Sequence, residues 1–165
     1  MEARPKIKIL LTSTDKMLEV LGWFTVLLLW ILVIVNYAKL PETIPTHYNG
    51  VGSVDGYGAK GSILILPIVG TCIFVGLTYL NKFPEVFNYA IRITKENAEK
   101  QYTNATRMIR YLKLMTGIVF LFINYQTIHV AIGKSNGLSS WFLPLVLIMF
   151  GAFPVYFIIK SIRYK

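Results

Sequence analysis

Residues 18–38 read LEVLGWFTVLLLWILVIVNYA, a run of 21 residues in which Glu19 is the only charged side chain. At about 1.5 Å per residue a helix of this length is ~30 Å long, which matches the hydrocarbon core of a bilayer. The apolar stretch of a cleaved signal peptide is usually only ~7–15 residues long, and no clear small-x-small cleavage site follows this run. The stretch therefore predicts a membrane-spanning helix that is retained in the mature protein.

The composition of the rest of the chain extends this prediction. Of the 165 residues, 55% are hydrophobic and 15% are charged, whereas soluble domains are about 45–50% apolar and about one-quarter charged. The apolar excess is concentrated in three further blocks, residues 62–80, 112–132 and 138–159. We expect one membrane domain over residues 1–165, with an all-α fold of four transmembrane helices joined by a loop at 39–61, a loop at 81–111 and a tight turn.

The basic residues predict the orientation of the chain. Fourteen Lys and Arg residues, including Lys165, fall in the two terminal tails and around the 81–111 loop, against Lys39, Lys60 and Lys134 on the other side. The positive-inside rule places the fourteen in the cytoplasm. We therefore expect a multi-pass protein of the bacterial cytoplasmic (inner) membrane, with both termini inside and the 39–61 loop outside. Anionic headgroups account for the net charge of +9, and no nucleic-acid partner is expected, since no basic motif carries interleaved aromatic residues.

The outer loop, KLPETIPTHYNGVGSVDGYGAKG, is predicted to be ordered. It holds five glycines and two prolines, but also the Ile, His, Tyr and Val residues that flexible linkers lack. Its Asn-Gly and Asp-Gly pairs are strong turn signals, because these residues tolerate a positive φ angle. We expect an extended IPTHYN segment, a turn at GVGS and a return along VDGYG, compact against the membrane.

Few side chains in this loop could carry chemistry. One interpretation is that Glu42, His47 and Asp55, together with His129, form a metal or proton site. The alternative is structural, with Asp55 capping a turn and His47 bound to a loop carbonyl. The spacing matches no recognised metal-ligand pattern, and no set of acid, base and nucleophile is apparent. We therefore expect no catalytic residues, no metal and no cofactor.

The inner loop predicts a second feature. Thr94 is the expected N-cap of a helix over 95–113 that has one apolar face and runs into the third span. This cytoplasmic amphipathic helix would lie on the inner leaflet or pack under the helices. Glu19 is interpreted as a boundary residue within reach of headgroups or a nearby lysine. Polar side chains within the spans are candidates for a site or for interhelical hydrogen bonds, and four share a depth near the outer face: Asn36, Asn124, Gln126 and His129.

Two motifs resemble a known family. LPETIPTHYNGVGSVDGYGAK is similar to the signature LPxxIPxHFNxxGxxDGWGSK of a bacterial membrane domain of unknown function. This domain forms the N-terminal part of SdpI-type immunity proteins, which protect bacilli from a secreted sporulation-delay toxin. NYAIRITKENAEKQYTNATRMIRYLK resembles the same family's NxPxxITxENAxxQY segment, so the similarity covers about residues 20–130. Tyr57 stands where Trp is common and Ala59 where Ser is common. Because SdpI-type proteins carry further spans, the chain looks like a short, stand-alone member.

The resemblance implies which residues form the functional motifs. It assigns Asn97, Gln101 and Tyr102 to the inner-loop motif. The outer recognition loop would comprise Pro41, Pro45, His47, Asn49, Gly52, Asp55, Gly56 and Lys60.

The expected function is that of a non-enzymatic SdpI-like immunity, signalling or peptide-recognition module. Its partners would be the lipid bilayer, an extracellular peptide or toxin, and another membrane protein or a second copy of the chain. A small transporter or an accessory subunit of a membrane complex is the alternative, and a membrane enzyme ranks below both, since only His47, Asp55, Glu42 and His129 could supply its chemistry.

Overall fold

The computed structural model describes residues 4–163, so Lys165 of the predicted cytoplasmic tail lies outside the described residues. The fold is mostly helical. Within these residues four helices are long and apolar enough to cross a membrane, which confirms that prediction. They are α1 (Ser13–Tyr37), α2 (Ile65–Leu80, entered through a 3-10 turn at Lys60–Leu64), α3 (Ala98–Ala131) and α4 (Phe142–Arg163).

The expectation of a purely helical chain was wrong in one element. Strands β1 (Thr43–Tyr48) and β2 (Val54–Ala59) pair as an antiparallel hairpin between α1 and α2. The prediction of two extended segments around a turn described this region, but short strands separated by glycines were not recognised as a sheet. The hairpin is held down because Ile44 of β1 is fully buried, in a cluster with Val33, Leu40, Ile63 and Ile128. We call this end of the helices the hairpin end.

Helix α3 is the central element and packs against α1, α2 and α4. It approaches α1 closely at Gly117, where a Cβ atom would overlap the hydroxyl of Thr25. Small residues permit such close helix packing within membranes, where association depends on van der Waals contact and hydrogen bonds. A hydrogen bond of 3.0 Å from Trp30 Nε1 to Thr71 Oγ1 joins α1 to α2.

Several helix starts differ from those expected: α2 begins at Ile65 and not at 62, and α4 begins at Phe142 and not at 138. The starts of α1 and α3 differ as well. Helix α1 begins at Ser13, five residues before the apolar run, because Thr12 and Asp15 form a reciprocal capping box. Helix α3 begins at Ala98, so Thr94 is not its N-cap. Instead Asn97 Oδ1 accepts a hydrogen bond of 2.9 Å from Thr94 N, and its Nδ2 donates to Arg92 O at 3.1 Å, which makes the residues before α3 a turn.

At the opposite end of the helices, which we call the charged end, residues 4–12 form an N-terminal strap. Arg4 Nη1 donates to the carbonyl oxygens of Glu85 and Phe87 at 3.0 and 2.6 Å. The buried Tyr102 of α3 donates its hydroxyl to Pro5 O at 3.1 Å. The strap is therefore fixed to both the 81–97 segment and the start of α3.

Candidate functional site at the hairpin end

The tip of the hairpin is built by Asn49 and Gly52. Asn49 Oδ1 accepts from the backbone nitrogens of Val51 and Ser53 at 3.1 and 3.0 Å, which closes the turn. Gly52 has a φ angle of +85°, a conformation that residues with a Cβ rarely adopt.

The tip docks on the turn between α3 and α4. The backbone nitrogen of Leu138 donates to Gly52 O at 2.8 Å, and Ser53 forms an isolated antiparallel bridge with Gly137. A Cβ at Gly52 would overlap the carbonyl oxygen of Leu138, and one at Gly137 would overlap that of Gly52. This contact therefore requires glycine on both sides.

Four acidic and basic residues in and beside the hairpin form two separate pairs. His47 Nδ1 lies 2.5 Å from Asp55 Oδ1 across the strands, so His47 binds this carboxylate and not a loop carbonyl. Glu42 instead pairs with Lys60 at 3.5 Å. Over residues 4–163, no group of three or more His, Cys, Asp or Glu side chains is placed to hold a metal ion. The His47 side chain is 72% exposed, so the His47–Asp55 pair acts as a surface clasp between the strands.

A pocket of about 400 Å³ lies between the hairpin, the start of α2, the second half of α3 and the start of α4. A few polar groups converge on it. The hydroxyls of Tyr48 and Thr127 are 3.0 Å apart, and Asn124 Nδ2 donates to Ile63 O at 3.4 Å. Its lining is otherwise mainly apolar, including Ile44, Pro45, Ile65, Leu66, Ile123, Leu138, Phe142 and Leu143.

The environment of Tyr48 keeps its phenol neutral. Burial raises the pKa of Tyr48 above its usual value of 10, while the hydrogen bond with Thr127 acts in the opposite direction. Sequence reasoning missed both residues. Thr127 lies three residues after Asn124, on the same face of α3, and this spacing is the signal that could have identified it.

Only half of the residues predicted to form the recognition loop line the pocket. Pro45, His47, Asn49 and Gly52 line the pocket. The other four residues serve the hairpin or lie at its base, outside the pocket lining: Pro41, Asp55, Gly56 and Lys60.

Of the four polar residues predicted to share a depth in the spans, only one lines the pocket. Asn124 lines the pocket. Gln126 Nε2 donates to Gly137 O at 3.2 Å and supports the α3–α4 turn. His129 Nδ1 lies 2.8 Å from the carbonyl oxygen of Tyr125, and Asn36 Nδ2 donates to the carbonyl oxygen of Leu32 at 2.8 Å, each within its own helix. Their common depth therefore does not bring them to one site.

The inner-loop motif lies at the charged end, far from this pocket. Gln101 Nε2 donates to Ser161 O at 2.8 Å, and the Ser161 hydroxyl donates back to Gln101 Oε1, which ties α3 to the end of α4. Asn97 forms the turn before α3, and Tyr102 holds the strap. All three motif residues thus fasten one segment of the chain to another.

A largely buried ion network at the charged end was not predicted. Asp15 pairs with Arg107 at 2.8 Å, and Glu19 pairs with Lys113 at 2.8 Å and with Arg110 at 3.1 Å. The spacing of four residues between the acids, and of three between successive bases, places each set on one helix face. Glu19, interpreted as a boundary residue, does reach a lysine, but that lysine belongs to α3.

These features define a multi-pass membrane protein. Residues 24–71, from α1 through the hairpin into α2, match the family described as domain of unknown function DUF1648. The chain is also similar to an uncharacterised protein of the archaeon Archaeoglobus fulgidus, with 27% identity over 152 residues, covering 84% of this chain and 83% of the relative. No solved structure matches the chain.

Proposed function

We propose that this protein is a non-enzymatic, SdpI-like recognition module of the cytoplasmic membrane that confers immunity to a secreted peptide. The hairpin end would face outside, where the pocket would take an apolar side chain of the peptide. The pocket at the hairpin end is the observation that carries the proposal.

The form of the pocket suits recognition. Its volume of about 400 Å³ lies within the usual range of ~300–1,000 Å³ for binding pockets. Apolar walls would supply affinity, and the Tyr48–Thr127 pair and Asn124 would orient polar groups of the ligand. Such a combination of apolar surface and a few fixed polar groups is typical of binding sites.

The same lining supports a non-enzymatic role. His47 is its one side chain that commonly transfers protons near neutral pH, and it is paired with Asp55 on the hairpin surface. Acyl or phosphoryl chemistry would need a convergent nucleophile, base and stabilising group. The transporter alternative has less support. It would use the polar residues near the outer face, such as Asn124 and His129, but His129 binds the backbone of its own helix outside the pocket lining.

Two adjacent serines just before α4 provide a matched test. Ser139 lines the pocket and Ser140 does not, and both are exposed. A strain lacking the gene would be complemented with the wild type, Ser139→Trp or Ser140→Trp and challenged with secreted antimicrobial peptides. We expect Ser139→Trp to fill the pocket and lower the tolerated peptide concentration about tenfold, the effect of losing roughly 1.4 kcal/mol of binding. Ser140→Trp should protect fully.

Two results would contradict the proposal. Unchanged peptide tolerance in the deletion strain would remove the immunity role. Full protection by Ser139→Trp, at equal abundance in the membrane, would show that recognition does not use this pocket.

A further inference from the structure

The pocket at the hairpin end contains hydrogen-bonding groups that the protein itself does not use. They belong to Asn124 and Thr127, which lie on one face of α3, and to Tyr48 of the hairpin. Asn124 and Thr127 are almost fully buried, with exposed fractions of 2% and 5%. Buried polar groups are rarely left without a partner. The unused groups therefore indicate the chemistry of a ligand that fills the pocket.

Asn124 provides an open acceptor. Its Nδ2 donates to Ile63 O at 3.4 Å, which fixes the amide and leaves Oδ1 as the free end. Within residues 4–163 this Oδ1 accepts no hydrogen bond. In the same residues, the buried side-chain oxygens that have neither a partner nor accessible surface are those of Asn81 and Asn104. Asn124 Oδ1 is not one of them, so it keeps accessible surface, and a donor in the pocket can reach it.

The pair of Tyr48 and Thr127 provides an open donor. Their hydroxyl oxygens are 3.0 Å apart, and either one can be the donor. Since only one proton lies between them, the other hydroxyl keeps a proton for which the described part of the chain supplies no acceptor. Residues three apart on a helix have Cβ atoms ~5–6 Å apart. A single oxygen atom between Asn124 and Thr127 can therefore bond to the open acceptor and to the open donor.

The lining favours a neutral group. Among the described residues it includes no Asp, Glu, Lys or Arg side chain, and His47 is paired with Asp55 on the hairpin surface. A buried charge without a partner is costly. A neutral hydroxyl has one donor and two acceptor lone pairs, which matches the two open groups. The indole of tryptophan is a donor only, so it would leave the open donor unpaired.

We propose that the pocket binds a phenol, as in a tyrosine side chain. The phenolic O–H donates to Asn124 Oδ1, its oxygen accepts from the Tyr48–Thr127 pair, and the apolar walls cover the ring. An aromatic side chain brings ~150–250 Å² of surface to such walls, whereas serine and threonine carry a hydroxyl with little apolar surface. That the phenol belongs to a secreted peptide rests on the proposed function, while the choice of a phenol rests on the pocket itself.

The test compares N-acetyltyrosinamide with N-acetylphenylalaninamide, which differ only in the hydroxyl. Each is added to the purified full chain in dodecyl maltoside, and its dissociation constant is obtained from the rise in melting temperature with ligand concentration. We expect the wild type to bind the tyrosine amide about 30-fold more tightly, the effect of two net hydrogen bonds. Ser139→Trp should abolish the binding of both amides, because it fills the pocket.

Two variants test the two hydrogen bonds. Asn124→Leu removes the open acceptor and should lower the preference for the tyrosine amide to about fivefold or less. Tyr48→Phe combined with Thr127→Val removes the open donor and should have the same effect. Because it replaces both partners by apolar groups of similar shape, this double variant should fold even if Asn124→Leu does not. The control is Thr116→Val, which should keep the full preference, because the Thr116 hydroxyl donates to Leu112 O of α3, outside the pocket lining.

The outcomes separate the phenol site from the immunity role. Equal binding of the two amides by the wild type, or binding of neither, would overturn the phenol site and leave the immunity role standing. A preference that persists in Ser139→Trp, or in both the Asn124 and the double variants, would also overturn it. A preference that these variants remove, in a protein whose deletion leaves peptide tolerance unchanged, would support the site and assign it to a small phenol instead of a peptide.

Discussion

The ion pair between Glu19 and Lys113 allows a quantitative test of the fold, because it joins α1 to α3 inside the charged end. Lys113 Nζ lies 2.9 and 2.8 Å from the two carboxylate oxygens of Glu19 and 2.7 Å from Thr78 Oγ1. It also lies 4.3 Å from the ring centroid of Phe74. Every donor of the ammonium group is thus engaged. The perturbations are Glu19→Gln, Lys113→Met and the two together.

The geometry predicts unequal costs. Two unit charges 2.8 Å apart attract by about 6 kcal/mol at an effective dielectric constant of 20, and breaking a buried pair costs roughly 3–5 kcal/mol. Lys113→Met leaves Glu19 paired with Arg110 at 3.1 Å, so the loss in free energy of unfolding should be about 3 kcal/mol, the lower end of this range. Glu19→Gln removes the carboxylate partner of both Lys113 and Arg110, so the loss in free energy of unfolding should be about 5 kcal/mol, the upper end of the range.

The double variant is the decisive measurement. Once Glu19 is neutral, removing the charge of Lys113 relieves an uncompensated cation, so the double variant should cost about as much as Glu19→Gln alone. The coupling free energy is then about 3 kcal/mol. Unfolding would be followed by tryptophan fluorescence as the fraction of sodium dodecyl sulfate in dodecyl maltoside micelles is raised. Exposed Lys16→Met is the control and should change stability by less than about 0.5 kcal/mol. Additive single costs would refute the pairing.

Two glycine contacts and the position of the hairpin can also be tested. Gly52→Ala should lower the free energy of unfolding by about 2 kcal/mol or more in the same assay, because Gly52 has a positive φ and contacts the α3–α4 turn. Gly61→Ala is the control and should be neutral, because Gly61 has open space around it. Gly117→Ala should destabilise the protein by about 1–3 kcal/mol through its contact with α1. Gly76 is also helical but has open space around it, so Gly76→Ala should be neutral or stabilising. Equal effects of the two substitutions would contradict the packing of α1 against α3. In a background without the native cysteine, Ser53→Cys should react with an impermeant thiol reagent on intact cells, and labelling only after permeabilisation would reverse the proposed orientation.

The four long helices could be predicted from the sequence because hydropathy is a local signal. Each apolar block carries its own evidence for a span, whatever its neighbours are. The turn of the hairpin could also be predicted from the sequence, because Asn49 and the following glycines favour the required backbone angles. The start of α1 was missed, although Thr12 and Asp15 are spaced as a capping box and the pattern could have been read.

The ion network could not be predicted in the same way, because it depends on which helices are neighbours. Arg107, Arg110 and Lys113 were interpreted as cytoplasmic charges that set the topology, and by themselves they support no more than that. Their burial follows only when α3 packs beside Asp15 and Glu19. The acids are spaced by four residues on one helix and the bases by three on another. This pattern predicts ion pairs only once it is known that the two helices are neighbours.

The family match does not identify a ligand, because its motif residues are used to build the hairpin. Within the matched residues 24–71, several motif residues serve the hairpin itself. Asn49 closes its turn, the backbone of Gly52 holds its tip to the α3–α4 turn, and His47 pairs with Asp55 across the strands. These requirements are met by any member that keeps the hairpin, whatever it binds. The opposite wall of the pocket comes from α3 and α4, beyond the matched segment, through Ile123, Asn124, Thr127, Leu138, Ser139, Phe142 and Leu143. If the pocket binds a peptide, relatives with different peptides should therefore differ mainly in this wall, and exchanging it between them should exchange their specificity.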